Sequence, residues 1–336
     1  MEILFTPVPA PGNGPVADGR PFGILEPLIH LLAAARDLTE FPGALAEPRL
    51  VTFAATHGCA EAAISANPLA DTALRVRALR AGEGRVATTA QECGVSVRVV
   101  DLTEPTEDRP ALPARRIDDG DALTEEELVA AVEAGRQAAD AAADEGCDLL
   151  IGASCSVGVS TPVAVITAAM LGLEPVDATT RGSGINDDAW IRKATIVRNA
   201  LRRVSGHAGD PLALLRMAGG ADLAALTGFI AQAAARRTPV LIDDSVNALA
   251  AALATLLAPG TPRYLVATSR SDDRLQRRLL GMLELEPLTA WELREGGGTG
   301  AMLLVPVIRA ALRARAVADP GSPMPDAVPD WNSDLL

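Results

Sequence analysis

The run Arg294-Glu295-Gly296-Gly297-Gly298-Thr299-Gly300-Ala301 is a glycine-dense turn in front of an apolar segment of helical character. Glycines at this density bring backbone N–H groups close to a ligand, and the helix that follows turns its positive end toward an anion. Polar residues also cluster just after short apolar runs: Thr56-His57-Gly58, Asp101, Ser154-Cys155-Ser156, Asp243-Asp244 and Ser269-Arg270-Ser271. Such groups can move protons, orient hydroxyls and hold a phosphate. All but one of the 30 basic residues are arginine, the exception being Lys193. The arginine excess reads as a coding bias. Under that bias a surviving lysine marks a position that needs a compact ammonium rather than a planar fork.

These residues need a frame. Five short apolar segments read as buried strands: Leu50–Ala54, Val95–Val100, Asp148–Ile151, Val240–Ile242 and Tyr264–Ala267. Long alanine- and leucine-rich helical stretches separate most of them. Thr124 and Glu127 have capping-box spacing ahead of the periodic Leu128, Ala131, Val132 and Gly135. Asp210-Pro211 pairs an N-cap residue with proline at the first helical position. Strands alternating with helices predict a doubly wound α/β domain with a mostly parallel sheet and helices on both faces. In such sheets the ligand lies outside the carboxyl ends of the strands, where the polar clusters fall. The expected organisation has an N-terminal segment 1–45 and a segment 271–318 packing as a small helical lobe. The nucleotide-binding α/β domain spans 46–270, and an extended or disordered tail runs over 319–336.

Composition narrows the function. The chain has 336 residues, 49% of them hydrophobic and 3% aromatic, enough for a large aliphatic core. A net charge of −13 with scattered arginines argues against nucleic-acid binding. Cys59, Cys93, Cys147 and Cys155 lack metal-ligand spacing, so neither a metal nor another cofactor is expected. Met1 is followed by Glu2 and proline-rich sequence, which gives no leader signal, and no apolar run is long enough for a membrane span. The expected setting is the reduced cytoplasm. No G-x-G-x-x-G follows the first strand, which weighs against a dinucleotide-dependent dehydrogenase.

The motifs, in their order and spacing, resemble the nicotinate-nucleotide–dimethylbenzimidazole phosphoribosyltransferases from about Phe22 to Ala314. The 294–301 run is similar to the family's R-L-G-E-G-[ST]-G-A, with Gly297 at the glutamate position and Glu295 at an apolar one. Phe22-Gly23-Ile24-Leu25-Glu26 resembles L-G-x-L-E, and Phe53–Gly58 resembles F-A-G-D-H-G with Thr56 for the acid. Ser65-Ala66-Asn67-Pro68 and Thr72-Ala73-Leu74 resemble S-A-Y-P and T-A-Q, with Leu74 for the glutamine. Ser154–Thr161 resembles [ED]-M-G-I-G-N-T-T with Ser154 for the acid, and Arg181–Asp188 resembles R-G-T-G-[IL]-D-D. Val240-Leu241-Ile242-Asp243 resembles V-L-L-D, with Asp244 in place of the following glycine.

The resemblance implies base exchange at an N-glycosidic bond. The 5-phosphoribosyl group of nicotinate mononucleotide passes to a nitrogen of dimethylbenzimidazole while a carboxylate takes the acceptor's proton. It implies a phosphate and ribose site from Gly158, Ser160, Thr161, Arg181, Gly182, Ser183, Gly184, Lys193, Gly298, Thr299 and Gly300. Around the base it implies Thr56, Ser65, Leu74 and Ser154. Three family acids are absent, at Thr56, Ser154 and Gly297, so an altered acceptor or altered chemistry is expected. Glu295, Asp243, Asp244 and His57 are the candidates for a replacement base. His57 reads as a satisfied structural histidine before it reads as a base, and Asp243 reads equally as an orienter of a ribose hydroxyl. Cys155 lacks a local partner that would make it a nucleophile. The expected partners are a small-molecule nucleotide, an aromatic base and a second copy of the chain, or a homologue in a heterodimer. Two alternatives stand beside transfer: hydrolysis of a pyridine-type mononucleotide, and a non-catalytic nucleotide-binding homologue or partner subunit.

Overall fold

The computed structural model describes residues 3–317 apart from 15–21, 39, 43, 46 and 108. The tail expected over 319–336 lies outside the described residues. Five parallel strands form the central sheet: β1 (Pro48–Ala54), β2 (Ser96–Asp101), β3 (Leu149–Ser154), β4 (Val240–Ile242) and β5 (Leu265–Ala267). Their spatial order is β2-β1-β3-β4-β5, with Phe53 opposite both Val100 and Ser154, and Leu241 opposite Val266. The chain therefore winds outward in both directions from the β1–β3 pair. All five expected strands are present; their ends coincide or shift by one or two residues, except that β3 runs three residues further, to Ser154.

Strand alternation divides the core in two. Val51, Phe53, Leu150, Val240 and Ile242 face one layer, formed by helices Glu125–Asp144, Ser160–Leu171, Ala221–Ala235 and Ser245–Leu257. Leu50, Leu149, Ile151, Ala153 and Leu241 face the other, formed by helices Glu26–Ala34, Gly84–Glu92 and Thr299–Ala316. The N- and C-terminal helices thus share a cluster with the sheet itself: Leu28, Ile29 and Leu32 join Met302, Val305 and Ile308 over the strand residues. Among the described residues, no helix is long and apolar enough to cross a membrane.

Local sequence sets the helix ends. The Thr124 hydroxyl accepts from the Glu127 N–H at 3.2 Å, and the Glu127 carboxylate accepts from the Thr124 N–H at 2.7 Å. That is the reciprocal capping box the spacing predicts, and it starts Glu125–Asp144. Asp210 caps the turn Pro211–Leu214, which runs through a wider π turn, Leu215–Gly219, before the chain breaks at Gly220. Gly220 has φ +91°, and a Cβ placed there would stand 2.8 Å from the His57 ring. This break sets the start of Ala221–Ala235, whose first turn holds Asp222 against His57.

Candidate active site

Asp243 and Asp244 follow β4 and part company at once. Asp243 turns inward under the glycine-rich turn, where its Oδ2 accepts the Gly300 N–H at 2.9 Å and its Oδ1 accepts the Thr268 hydroxyl at 3.1 Å. A Cβ on residue 300 would fall inside the contact distance of Asp243 Oδ1, so only glycine lets the carboxylate reach the helix end. Burial, and then the neighbouring Asp244 charge, push the Asp243 carboxyl up to about 7, against hydrogen bonds from Gly300, Thr268 and Ala301. Asp243 thereby clamps the start of Thr299–Ala316 onto the end of β4. Gly298, at φ +79°, and Thr299, whose hydroxyl donates to the Gly296 carbonyl at 2.9 Å, shape the turn.

Asp244 goes the other way. Its Oδ1 accepts the Asn247 N–H at 2.9 Å and so caps Ser245–Leu257. The Gly297 N–H also bonds this carboxylate, and burial raises its pKa. Asp244 is half-buried and lines a cavity of about 970 Å³ along the carboxyl ends of β3, β4 and β5. The cavity walls include Ser160, the loop Thr179–Gly182, the start of helix Asp187–Val204, Asp244–Val246, Ser271–Arg274 and Leu293–Gly296. This volume suits a mononucleotide-sized ligand.

Two residues of the wall, Ser160 and Gly182, stand next to a buried ammonium that does not itself line the cavity. Lys193, 1% exposed, rises from helix Asp187–Val204 and donates from Nζ to the Ser160 hydroxyl and the Thr180 carbonyl, each at 3.0 Å. A Cβ on Gly182, where φ is +48°, would stand 3.0 Å from Ser160 Oγ and 3.5 Å from Lys193 Nζ. The ammonium therefore lies directly beneath a glycine loop, beside the N-terminus of Ser160–Leu171. Burial pulls Lys193 down to about 8. Gly158, at φ +94°, makes the turn ahead of this helix and accepts the Thr161 N–H at 3.0 Å, while the Thr161 side chain is buried. Ser183 accepts the Ala66 N–H at 2.9 Å and lies 3.3 Å from Ser65 Oγ, which ties the 65–67 segment to the loop. Gly184, at φ +87°, closes the same loop onto the Arg181 carbonyl at 3.0 Å.

The remaining charges on the wall are mostly matched. Arg181 pairs with Asp187 at 2.5 Å and Arg294 with Asp272 at 2.8 Å. Glu295 lies on the cavity wall but pairs at 3.0 Å with Arg85, whose side chain is largely in solvent. Asp273 caps helix Arg274–Met282 through the Leu275 N–H at 2.9 Å.

His57, Thr56, Leu74 and Ser154 are not among the residues lining this cavity. His57 is 1% exposed, and its Nε2 faces both oxygens of the fully buried Asp222, at 3.1 and 3.2 Å. Ser154 donates to Asp222 Oδ2 at 2.6 Å and receives the Ser156 N–H at 3.1 Å. Burial alone would raise Asp222, but the His57 ring and the hydrogen bonds from His57, Ser154 and Ser156 outweigh it and hold the carboxyl below its usual range. Leu74 is 52% exposed on helix Asp71–Ala81, and Thr56 sits in a two-residue ladder with Pro113. The sequence by itself assigns no role to Asp222. The available signal was a single carboxylate in the otherwise uncharged helix Ala221–Ala235.

A family model described as phosphoribosyltransferase matches residues 17–318. The nicotinate-nucleotide–dimethylbenzimidazole phosphoribosyltransferase of Mycolicibacterium paratuberculosis is 41% identical over 331 residues, covering 94% of this chain and 95% of that one. The chain belongs to this family. The enzyme of the same name from Mycobacterium tuberculosis is 43% identical over 274 residues, covering 79% of this chain and 76% of that one. Among solved structures, CobT from Thermus thermophilus superposes with a TM-score of 0.81 at 32% identity, covering 91% of this chain and 94% of that one. The α/β architecture and membership of a transferase family acting by pentosyl transfer follow.

Proposed function

We propose that this protein transfers the 5-phosphoribosyl group of nicotinate mononucleotide, or of a related pyridine mononucleotide, to an aromatic nitrogen base other than dimethylbenzimidazole. The observation that supports the donor half is Lys193. Its ammonium stands under Gly182 and donates to Ser160, two residues of the cavity wall, and Ser160 opens a helix, so a positive charge and a helix N-terminus lie beside the cavity. The relatives named for nicotinate nucleotide supply the identity of the donor. In the reaction the C1′–N bond to the pyridinium breaks and its electron pair neutralises the ring nitrogen. The protein's contribution is to position the reactants and to stabilise an oxocarbenium-like transition state.

The acceptor half is rebuilt. Gly297 has φ +72°, and a Cβ there would stand 3.2 Å from Val86 Cγ2, so the backbone at the family's glutamate position is shaped for glycine. Ser154, at another acid position, gives its hydroxyl to Asp222 instead. The test is a comparison of acceptors with nicotinate mononucleotide as donor: dimethylbenzimidazole against a panel of azoles and pyridines. The expected result is a higher kcat/KM for another base, and dimethylbenzimidazole as the best acceptor would refute the altered-acceptor reading.

A further inference from the structure

We propose that Trp190 is a specificity-determining residue of this site, and that its indole packs against the pyridinium ring of the bound nucleotide. The proposal rests on the phosphoribosyl-transfer reading above and adds to it the side chain that recognises the ring.

Two side chains of helix Asp187–Val204 are held by consecutive carbonyls of one loop. The Trp190 Nε1–H donates to the Thr179 carbonyl at 3.1 Å, and the Lys193 ammonium donates to the Thr180 carbonyl at 3.0 Å. Residues three apart on a helix share a face, so the indole and the ammonium stand side by side along the loop. The loop is fixed in turn, because the Thr179 hydroxyl donates to the Pro175 carbonyl at 2.7 Å. A phosphate drawn to Ser160, Gly182 and the ammonium leaves the rest of the nucleotide to extend along the cavity, and the indole is the neighbouring wall.

Among the described residues lining the cavity, Trp190 is the only aromatic one. It is half-buried, and Val176 and Ile191, which line the cavity with it, are 59% and 57% exposed. The same three side chains border a second groove of about 620 Å³, so they form a partition between two open spaces rather than core packing. An apolar partition in a cavity of mostly polar residues is stabilised when a flat apolar ring covers it. Thr179 engages the N–H edge of the indole, which leaves the ring faces for contact. A pyridinium suits that surface, since indole attracts a cation more strongly than the other aromatic side chains do. When the C1′–N bond breaks, the ring nitrogen becomes neutral and that attraction ends. The contact therefore favours the bound donor without retaining the departing nicotinate.

The test compares two ligands by calorimetry: nicotinate mononucleotide, and ribose 5-phosphate, which has the ribose and phosphate but no ring. In Trp190→Leu the affinity for nicotinate mononucleotide should fall about 5- to 100-fold, while that for ribose 5-phosphate is unchanged. Trp190→Phe keeps an aromatic face and should lie between Trp190→Leu and the wild type. Of the chain's three tryptophans, Trp190 is the one on the cavity wall among the described residues. Nicotinate mononucleotide should therefore quench the intrinsic fluorescence of the wild type, ribose 5-phosphate should not, and the quenching should be lost in Trp190→Phe. That arm decides the matter if Trp190→Leu does not fold. Parallel weakening of both ligands in Trp190→Leu, or no weakening of either, overturns the proposal. So does quenching that persists undiminished in Trp190→Phe, or a wild type that binds nicotinate mononucleotide no more tightly than ribose 5-phosphate. Wild-type protein that binds neither ligand overturns the phosphoribosyl reading itself.

Discussion

The Asp243 carboxylate and the Gly300 backbone fit each other in two ways: one oxygen accepts the Gly300 N–H at 2.9 Å, and the other occupies the space a side chain on residue 300 would need. The acid at the end of β4 and the second residue of the C-terminal helix are thus one structural unit.

Gly300→Ala should therefore be costly. The neighbour that must give way is a buried carboxylate already bonded on both sides, so unfolding in urea should show a loss of about 1–3 kcal/mol. Gly281 is the control, because a Cβ there meets nothing within 4 Å and its φ is not positive. Gly281→Ala in helix Arg274–Met282 should stabilise the protein by about 0.5–1 kcal/mol.

Asp243 also predicts a pH dependence of stability. Its pKa is raised from an unfolded value of 3.8 to about 7, so the native state holds the extra proton between those limits. The stabilisation is full below the unfolded pKa and is lost as pH rises through about 7. The unfolding free energy from urea titrations should fall over that window by up to about 1.4 kcal/mol per pH unit from this one group. In Asp243→Asn that contribution to the slope should vanish, and an unchanged slope would refute the assignment.

Lys193 has the opposite sign. Its pKa is depressed from 10.5 to about 8, so the unfolded state binds the proton more tightly and stability should rise as pH increases across that interval. Lys193→Met should flatten this rise while weakening nicotinate mononucleotide by about 10- to 100-fold in calorimetry, the value of one charge-assisted contact. In the wild type, kcat/KM for the nucleotide should decline above about pH 8 as the free ammonium loses its proton.

Gly297→Glu should fail to restore a dimethylbenzimidazole enzyme. A non-glycine residue at φ +72° is strained by roughly 1–2 kcal/mol, and its Cβ would press on Val86 at 3.2 Å. The expected result is a lower melting temperature with no gain in ribazole phosphate formation. A gain from this substitution alone would mean that the turn adapts more readily than its backbone geometry implies.

Much of this was legible in the chain. The five strands, the capping box at Thr124–Glu127 and the helix start at Asp210-Pro211 are set by neighbours within a few residues, so apolar runs, cap residues and proline suffice to find them. The ordered motifs from Phe22 to Ala314 likewise identified the family, because a motif is a local property of sequence.

The roles of the acids were not legible in the same way. Asp243 and Asp244 are adjacent and chemically identical, and both read as strand-end carboxylates. Only the folded chain sends one to Gly300, 57 residues away, and the other to the cavity wall. His57 acquires its partner from Asp222, 165 residues on, and Lys193 acquires Ser160 from the preceding strand–helix connection. Sequence alone determined the sheet, its helices and the glycine turn, since these follow from periodicity and local backbone preference. Tertiary structure decided which charges are buried, paired or left facing the cavity, because desolvation and pairing depend on groups that only folding brings together.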